Sequence, residues 1–400
     1  MKIEIGDIAK SVGESNVVIS VNVKYGDEQH CLEYSFDLKY AEMILIDRID
    51  AFLIPLLPWA MMKASLDDKC CITSVLPLSK SLFHQISNFH LAVLSDNISY
   101  YGKCKLDMEL CEDVPNMGMG VATGISGGID SSYTIAKYKT YGQNQAYILS
   151  HGFFYNMGIY GGYESDSQKM LQKRAESICK SEDIELVNIK TNIVREIYKK
   201  AYGPVVPSII MGGVLNFQKI ISVYFMSSGY TAKESYFSEE LAEHYDWFNT
   251  QNYSTRALRF YSSGLEATRM EKVKFVANTS FTHKYLSVCM NENLFNGNCS
   301  RCAKCTETMA ELDAIGALDK YSEVFDVNAY VKNPAYYLGY VVMKSWGGEE
   351  FCTDIVKEYR KNGKSIPFSA YCGAVKKLIL RGFHIKNHKR ERVEDFVRQG

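Results

Sequence analysis

A pair of adjacent glycines between a short apolar run and a helix-forming run constrains this chain more than any other feature. The segment Gly124-Ile125-Ser126-Gly127-Gly128-Ile129-Asp130-Ser131-Ser132 follows Val121–Ile125, which reads as a strand, and leads into Ser131–Tyr141, which reads as a helix. Adjacent glycines let the backbone turn tightly and bring its N–H groups close to a ligand. The N–H groups that open a helix are unpaired and partially positive, so such a turn suits an anion. The hydroxyls of Ser126, Ser131 and Ser132 can add hydrogen bonds to phosphate oxygens. The segment is not a Walker A loop, because Ile129 and Asp130 stand where that loop needs Lys and then Ser or Thr. It also lacks the spaced glycines of the dinucleotide fingerprint.

What surrounds the turn sets the fold class. Gln145–Ser150 and Ile184–Ile189 read as strands, Ser165–Ser181 as a helix, and Val214–Ser227 as a buried helix. Alternation of short apolar strands with helices predicts an α/β domain with a parallel sheet over residues 116–317. Glu112 to Gly118, polar and bearing Pro115, marks the boundary before it. Residues 1–115 read as a separate α+β region, with strands at Val17–Val23 and Cys31–Leu38 and strand character at Ile98–Leu106. Ala51–Met62 and Leu76–Leu94 read as helical. Residues 318–400 read as helical, with amphipathic stretches at Ile355–Lys361 and Cys372–Leu380 and a charged end.

Charge narrows the partners. Lys and Arg number 45 against 46 Asp and Glu, a net charge of 45 − 46 = −1. Such balance argues against a dedicated nucleic-acid binder. The N-terminus lacks the apolar stretch of a signal peptide, and Ala51–Met62, interrupted by Pro55 and Pro58, is too short to span a bilayer. Twelve cysteines in 400 residues fall well below the density of a secreted disulfide scaffold. The expectation is a cytoplasmic protein without a membrane segment.

The cysteines are also unevenly placed. Cys289, Cys299, Cys302 and Cys305 form C-x9-C-x2-C-x2-C. The two close spacings gather three thiols on one loop, and Cys289 supplies the fourth. Four thiolates satisfy the tetrahedral preference of Zn²⁺. An iron–sulfur cluster is the rival, because closely spaced cysteines also ligate iron.

The Ser126-Gly127-Gly128-Ile129-Asp130-Ser131 pattern resembles the PP-loop of the ATP pyrophosphatase superfamily. With the four-cysteine motif downstream, residues 118–315 are most similar to the 7-cyano-7-deazaguanine synthases, which lack counterparts of the N- and C-terminal regions. The resemblance implies that residues 126–132 bind the pyrophosphate end of ATP. It also implies cleavage between the α and β phosphates, with AMP and pyrophosphate as products. The chain would then adenylate a carboxylate or amide of a small molecule for attack by ammonia or an amine. Mg²⁺ is expected with the departing pyrophosphate, and Asp130 is the nearby carboxylate. His151-Gly152, read as the end of the second strand, would lie near the adenosine. Arg269-Met270-Glu271-Lys272 matches a stretch of related proteins whose cations face substrate or phosphate. Read alone it is equally a helix start with an i to i+3 charge pair.

The superfamily also includes a carboxylate-activating epimerase, sugar-amidating enzymes and tRNA-modifying enzymes. A binding-only nucleotide regulator is a further alternative. The added regions leave room for a homodimer contact or a pathway partner protein.

Overall fold

The computed structural model describes residues 2–67, 70–115, 118–139, 146–199, 203–289, 291 and 297–384. Twelve strands occur in order among the described residues. They are β1 (Lys2–Val12), β2 (Asn16–Tyr25), β3 (Glu28–Asp37), β4 (Cys70–Ser74), β5 (Leu78–Ser79) and β6 (Cys104–Asp107). Then follow β7 (Leu110–Cys111), β8 (Gly120–Gly124), β9 (His151–Asn156), β10 (Glu185–Thr191), β11 (Ile221–Ser227) and β12 (Arg259–Ser263). Ten of them form one sheet in the order β12-β11-β8-β9-β10-β3-β2-β1-β4-β6, and β5 pairs with β7.

The five strands from β12 to β10 are parallel. Their first strand in the chain, β8, sits in the middle. The chain steps outward through β9 and β10, then crosses to the other side for β11 and β12. This is a Rossmann-like arrangement, with the switch in direction between β8 and β11. In open α/β sheets ligands bind beyond the strand C-termini at such a switch.

The sheet does not stop at residue 115. β3 pairs antiparallel with β10, Phe36 opposite Ile189, so the N-terminal strands extend the parallel sheet. Alternation explains their pairing. Val17, Ile19, Val21 and Val23 are buried on one face, as are Leu32, Tyr34 and Phe36. That face packs on the helix Asp50–Asp67, whose side chains from Ala51 to Met62 are all buried. Pro58 and Pro55 interrupt the hydrogen bonding of this helix. The Tyr198 hydroxyl fills the gap: it accepts from the Trp59 N–H at 3.1 Å and donates to the Pro55 carbonyl.

The sequence misread several places, among them Leu76–Leu94, which opens with β5 before its helix begins at Lys80. Residues 146–150 are not a strand; the strand begins at His151, while Tyr147 and Leu149 pack apolar faces against the neighbouring layer. Val214–Ser227 is not one helix. A helix ends at Leu215, a turn spans 216–220, and Ile221–Ser227 is β11. The sequence offers no reading of β1, β4, β5, β7 or β12 as strands. The expected helix end at Tyr141 and the charged stretch 386–400 lie outside the described residues.

A second core joins the glycine-loop helix to the C-terminal helices. Ile129 and Tyr133 pack with Met270, Val273, Cys305, Met309, Leu338 and Ile355. Among the described residues, no helix is long and apolar enough to cross a membrane.

Candidate functional site

The glycine turn lies at the C-terminal end of β8, beside the switch point. Gly127 has φ +76°, a conformation that L side chains rarely adopt. A Cβ there would lie 3.3 Å from Ser287 Cβ and 3.4 Å from the Tyr285 carbonyl oxygen. Glycine therefore serves both the turn and the close approach of residues 285–287. The Ser287 N–H donates to the Gly127 carbonyl at 2.7 Å, which occupies that acceptor.

The helix Ile129–Lys139 begins with unpaired donors. Ser132 N–H bonds the Gly128 carbonyl at 2.9 Å, but no acceptor among the described residues takes the N–H of Ile129, Asp130 or Ser131. Those groups and the helix dipole form a positive end suited to an anion. Ser126 Oγ donates to Ser131 Oγ at 2.8 Å and accepts from the Gly128 N–H at 3.3 Å. Ser131 Oγ also donates to the Gly128 carbonyl at 3.2 Å. The two serines thus shape the loop. The buried Ser132 hydroxyl has no partner among the described residues.

Asp130 is a hub for two cations. Its Oδ1 lies 3.3 Å from Lys272 Nζ, and its Oδ2 lies 3.2 Å from Arg269 Nη1. Both cations come from the helix Arg269–Val276, which starts with a capping box between Thr268 and Glu271. Glu271 is therefore a cap, while Arg269 and Lys272 face the loop helix. Lys272 is fully buried and donates to the Ser228 carbonyl at 2.6 Å. Burial lowers its pKa, and Asp130 opposes that shift. Arg269 also forks onto Glu311, with Nε to Oε1 at 3.0 Å and Nη2 to Oε2 at 3.3 Å. Burial opposes its charge, but Glu311 and Asp130 together raise its pKa above the ordinary value. Both Asp130 oxygens thus face cations of the chain, so this carboxylate organises charge at the loop.

His151 and Gly152 stand elsewhere. They open β9 rather than end it; its C-terminal end is Tyr155-Asn156. The His151 Nε2 lies 3.7 Å from Glu185 Oε2, its Nδ1 is 2.8 Å from Ser150 Oγ, and burial lowers its pKa. A Cβ on Gly152 would lie 2.6 Å from Ile125 Cγ1 and 2.8 Å from Cys179 Sγ, so this glycine serves packing.

Cys289, Cys299, Cys302 and Cys305 do converge, with all four sulfurs within 4.8 Å of one another. Zinc–thiolate bonds of ~2.3 Å at tetrahedral angles place sulfurs about 3.8 Å apart. Cys299 Sγ and Cys305 Sγ are 3.8 Å apart. Cys289 Sγ accepts N–H bonds from Asn291 and Cys299, each at 3.4 Å, and Cys299 Sγ accepts from Cys302 at 3.2 Å. Such bonds favour the thiolate. Without a cation, a hydrogen bond with Cys302, burial and the neighbouring thiols push the Cys305 thiol far above its ordinary range. The donor set fits a metal ion such as zinc, which would displace those protons.

The helix Ala303–Ala314 links the two centres. It carries Cys305 near its start and Glu311, the partner of Arg269, two turns later. Sequence reasoning missed Glu311, Ser228 and Ser287, which reach the site only through the fold. No family model matches the chain, and no curated protein or solved structure matches it.

Proposed function

We propose that this chain is an AMP-forming enzyme that activates a small-molecule carboxylate or amide with ATP. The observation that carries the reading is the set of unpaired N–H groups at Ile129, Asp130 and Ser131. It sits beside the switch point and is backed by the Asp130–Lys272–Arg269 cluster. A nucleoside triphosphate offers the anion that such a helix end favours.

The substrate oxygen attacks the α-phosphorus, the bond to the bridging oxygen breaks, and pyrophosphate leaves with the electron pair. The backbone N–H groups of residues 129–131 hold the departing phosphates. Lys272 and Arg269, paired with Asp130, offset the charge of that carboxylate beside the departing phosphates. Ammonia or an amine then attacks the acyl carbon, loses a proton and expels AMP. Mg²⁺ bound with the pyrophosphate would supply further charge neutralisation.

The four-cysteine site is assigned to a single zinc ion. A polynuclear cluster spreads its thiolates over several irons, wider than one ion does. Four protein ligands leave no open position, so the role is structural. Thiolate ligation also accords with a reducing, cytoplasmic setting.

The test is exchange of labelled pyrophosphate into ATP, run with fractions of a small-metabolite extract. A fraction that supports exchange in the parent but not in Ser126→Ala bears out adenylation. Exchange absent from every fraction, with ADP and phosphate formed instead, contradicts it.

A further inference from the structure

The helix Asp166–Ser181 brings to the glycine turn a cation that the loop pattern does not include. Arg174 Cδ lies 3.5 Å from the position a Cβ on Gly127 would take. Around that same position are Ser287 and Tyr285, in the segment leading to Cys289. Arg174 thus stands where the turn meets the metal-binding segment.

Its surroundings are short of negative charge. Arg174 is half-buried, and no carboxylate among the described residues pairs with it. Burial disfavours its charged form, and only a Cys289 thiolate would act against that among the described groups around it. Arg269 is different, because Asp130 and Glu311 both hold it. A guanidinium kept partly out of water without a carboxylate partner is unfavourable unless another anion meets it. Its planar fork of five donors matches phosphate oxygens. The unpaired N–H groups of Ile129, Asp130 and Ser131 open next to the same turn.

We propose that Arg174 is a polyphosphate-binding residue of the glycine loop, holding the terminal phosphates of a nucleoside triphosphate at the Gly127 turn. The proposal rests on the reading of this loop as an ATP site. The competing role is counter-ion to the cysteine thiolates, and the two roles differ in what the loss of Arg174 disturbs.

Isothermal titration of the metal-loaded protein with magnesium pyrophosphate, and then with ATP, separates them. It is run on the parent, R174Q and R174K, with metal content and the rate of extraction by a chelator measured in parallel. R174Q should weaken pyrophosphate binding roughly 10- to 100-fold, the range of a hydrogen bond to a charged group. R174K keeps the charge without the fork and should fall between. Metal content and extraction rate should stay at parental values. Parental pyrophosphate affinity in R174Q overturns the proposal, and faster metal loss beside it assigns Arg174 to the thiolates. Should R174Q fail to fold, R174K decides: intermediate affinity supports the role and parental affinity overturns it. A parent that binds neither pyrophosphate nor ATP refutes the ATP-site reading itself.

Discussion

Replacing Asp130 with Asn removes a charge while nearly preserving shape, and the structure sets the expected cost. Lys272 is fully buried, with Asp130 Oδ1 at 3.3 Å and the Ser228 carbonyl at 2.6 Å as its partners. Arg269 keeps Glu311 when Asp130 is neutralised, but Lys272 keeps the Ser228 carbonyl and the weaker influence of Glu266. Removing one partner of a buried pair costs ~3–5 kcal/mol. The Asp130 side chain is 27% exposed, so solvent screens part of the attraction and the lower end, about 3 kcal/mol, is expected. The loss should depend on pH. Burial already sets the folded pKa of Lys272 below its ordinary value, and the Asp130→Asn change would lower it further by removing the opposing carboxylate. Between that lowered value and the unfolded value of ~10.4, the unfolded chain binds a proton that the folded chain does not. Stability therefore rises with pH through this window, more in the variant than in the parent. Urea unfolding, followed by the fluorescence of the three tryptophans, should show a large fall in midpoint at pH 7 and a smaller one at pH ~9.5. Adding Lys272→Met should restore much of the loss, because an apolar residue tolerates the site once the carboxylate has gone. An unchanged midpoint for Asp130→Asn at pH 7 would refute the reasoning, as would a double variant no more stable than the single one.

Elemental analysis should find one zinc per chain, with Cys299→Ser and Cys305→Ser each losing it and melting at lower temperature; iron with acid-labile sulfide would overturn the assignment. Gly127→Ala forces a side chain to φ +76° against Ser287, so a loss of about 1–2 kcal/mol in stability and weaker pyrophosphate binding are expected from melting and titration. His151→Ala should leave ATP affinity at the parental value, since the residue opens β9 and contacts Glu185; a marked fall in affinity would return it to the nucleotide site.

The parts of the site that are local in sequence were legible in it. Gly127 and Gly128 sit between a strand and a helix, and both the turn and the free helix end follow from that order. The cysteine spacing likewise carried its own geometry, because three ligands fall within seven residues. Long-range partners were not legible. Lys272 meets Asp130 across 142 positions, and Arg269 meets Glu311 across 42. Arg174 reaches Gly127 only because its helix packs behind the loop. Strand boundaries failed where apolar runs are continuous. Val214–Ser227 has no period that separates a buried helix end from a buried strand, and the turn at 216–220 carries no glycine or proline. The join between β3 and β10 was invisible for another reason: an antiparallel pair between segments about 150 residues apart leaves no local pattern.

The most direct measurement is the nucleotide product. The protein is incubated with ATP, Mg²⁺, ammonium and a small-metabolite extract, beside Ser126→Ala and Asp130→Ala. AMP and pyrophosphate from the parent alone are predicted. ADP and phosphate, or equal AMP formation by the parent and both variants, would contradict the assignment of the Ser126–Ser132 loop to adenylating chemistry.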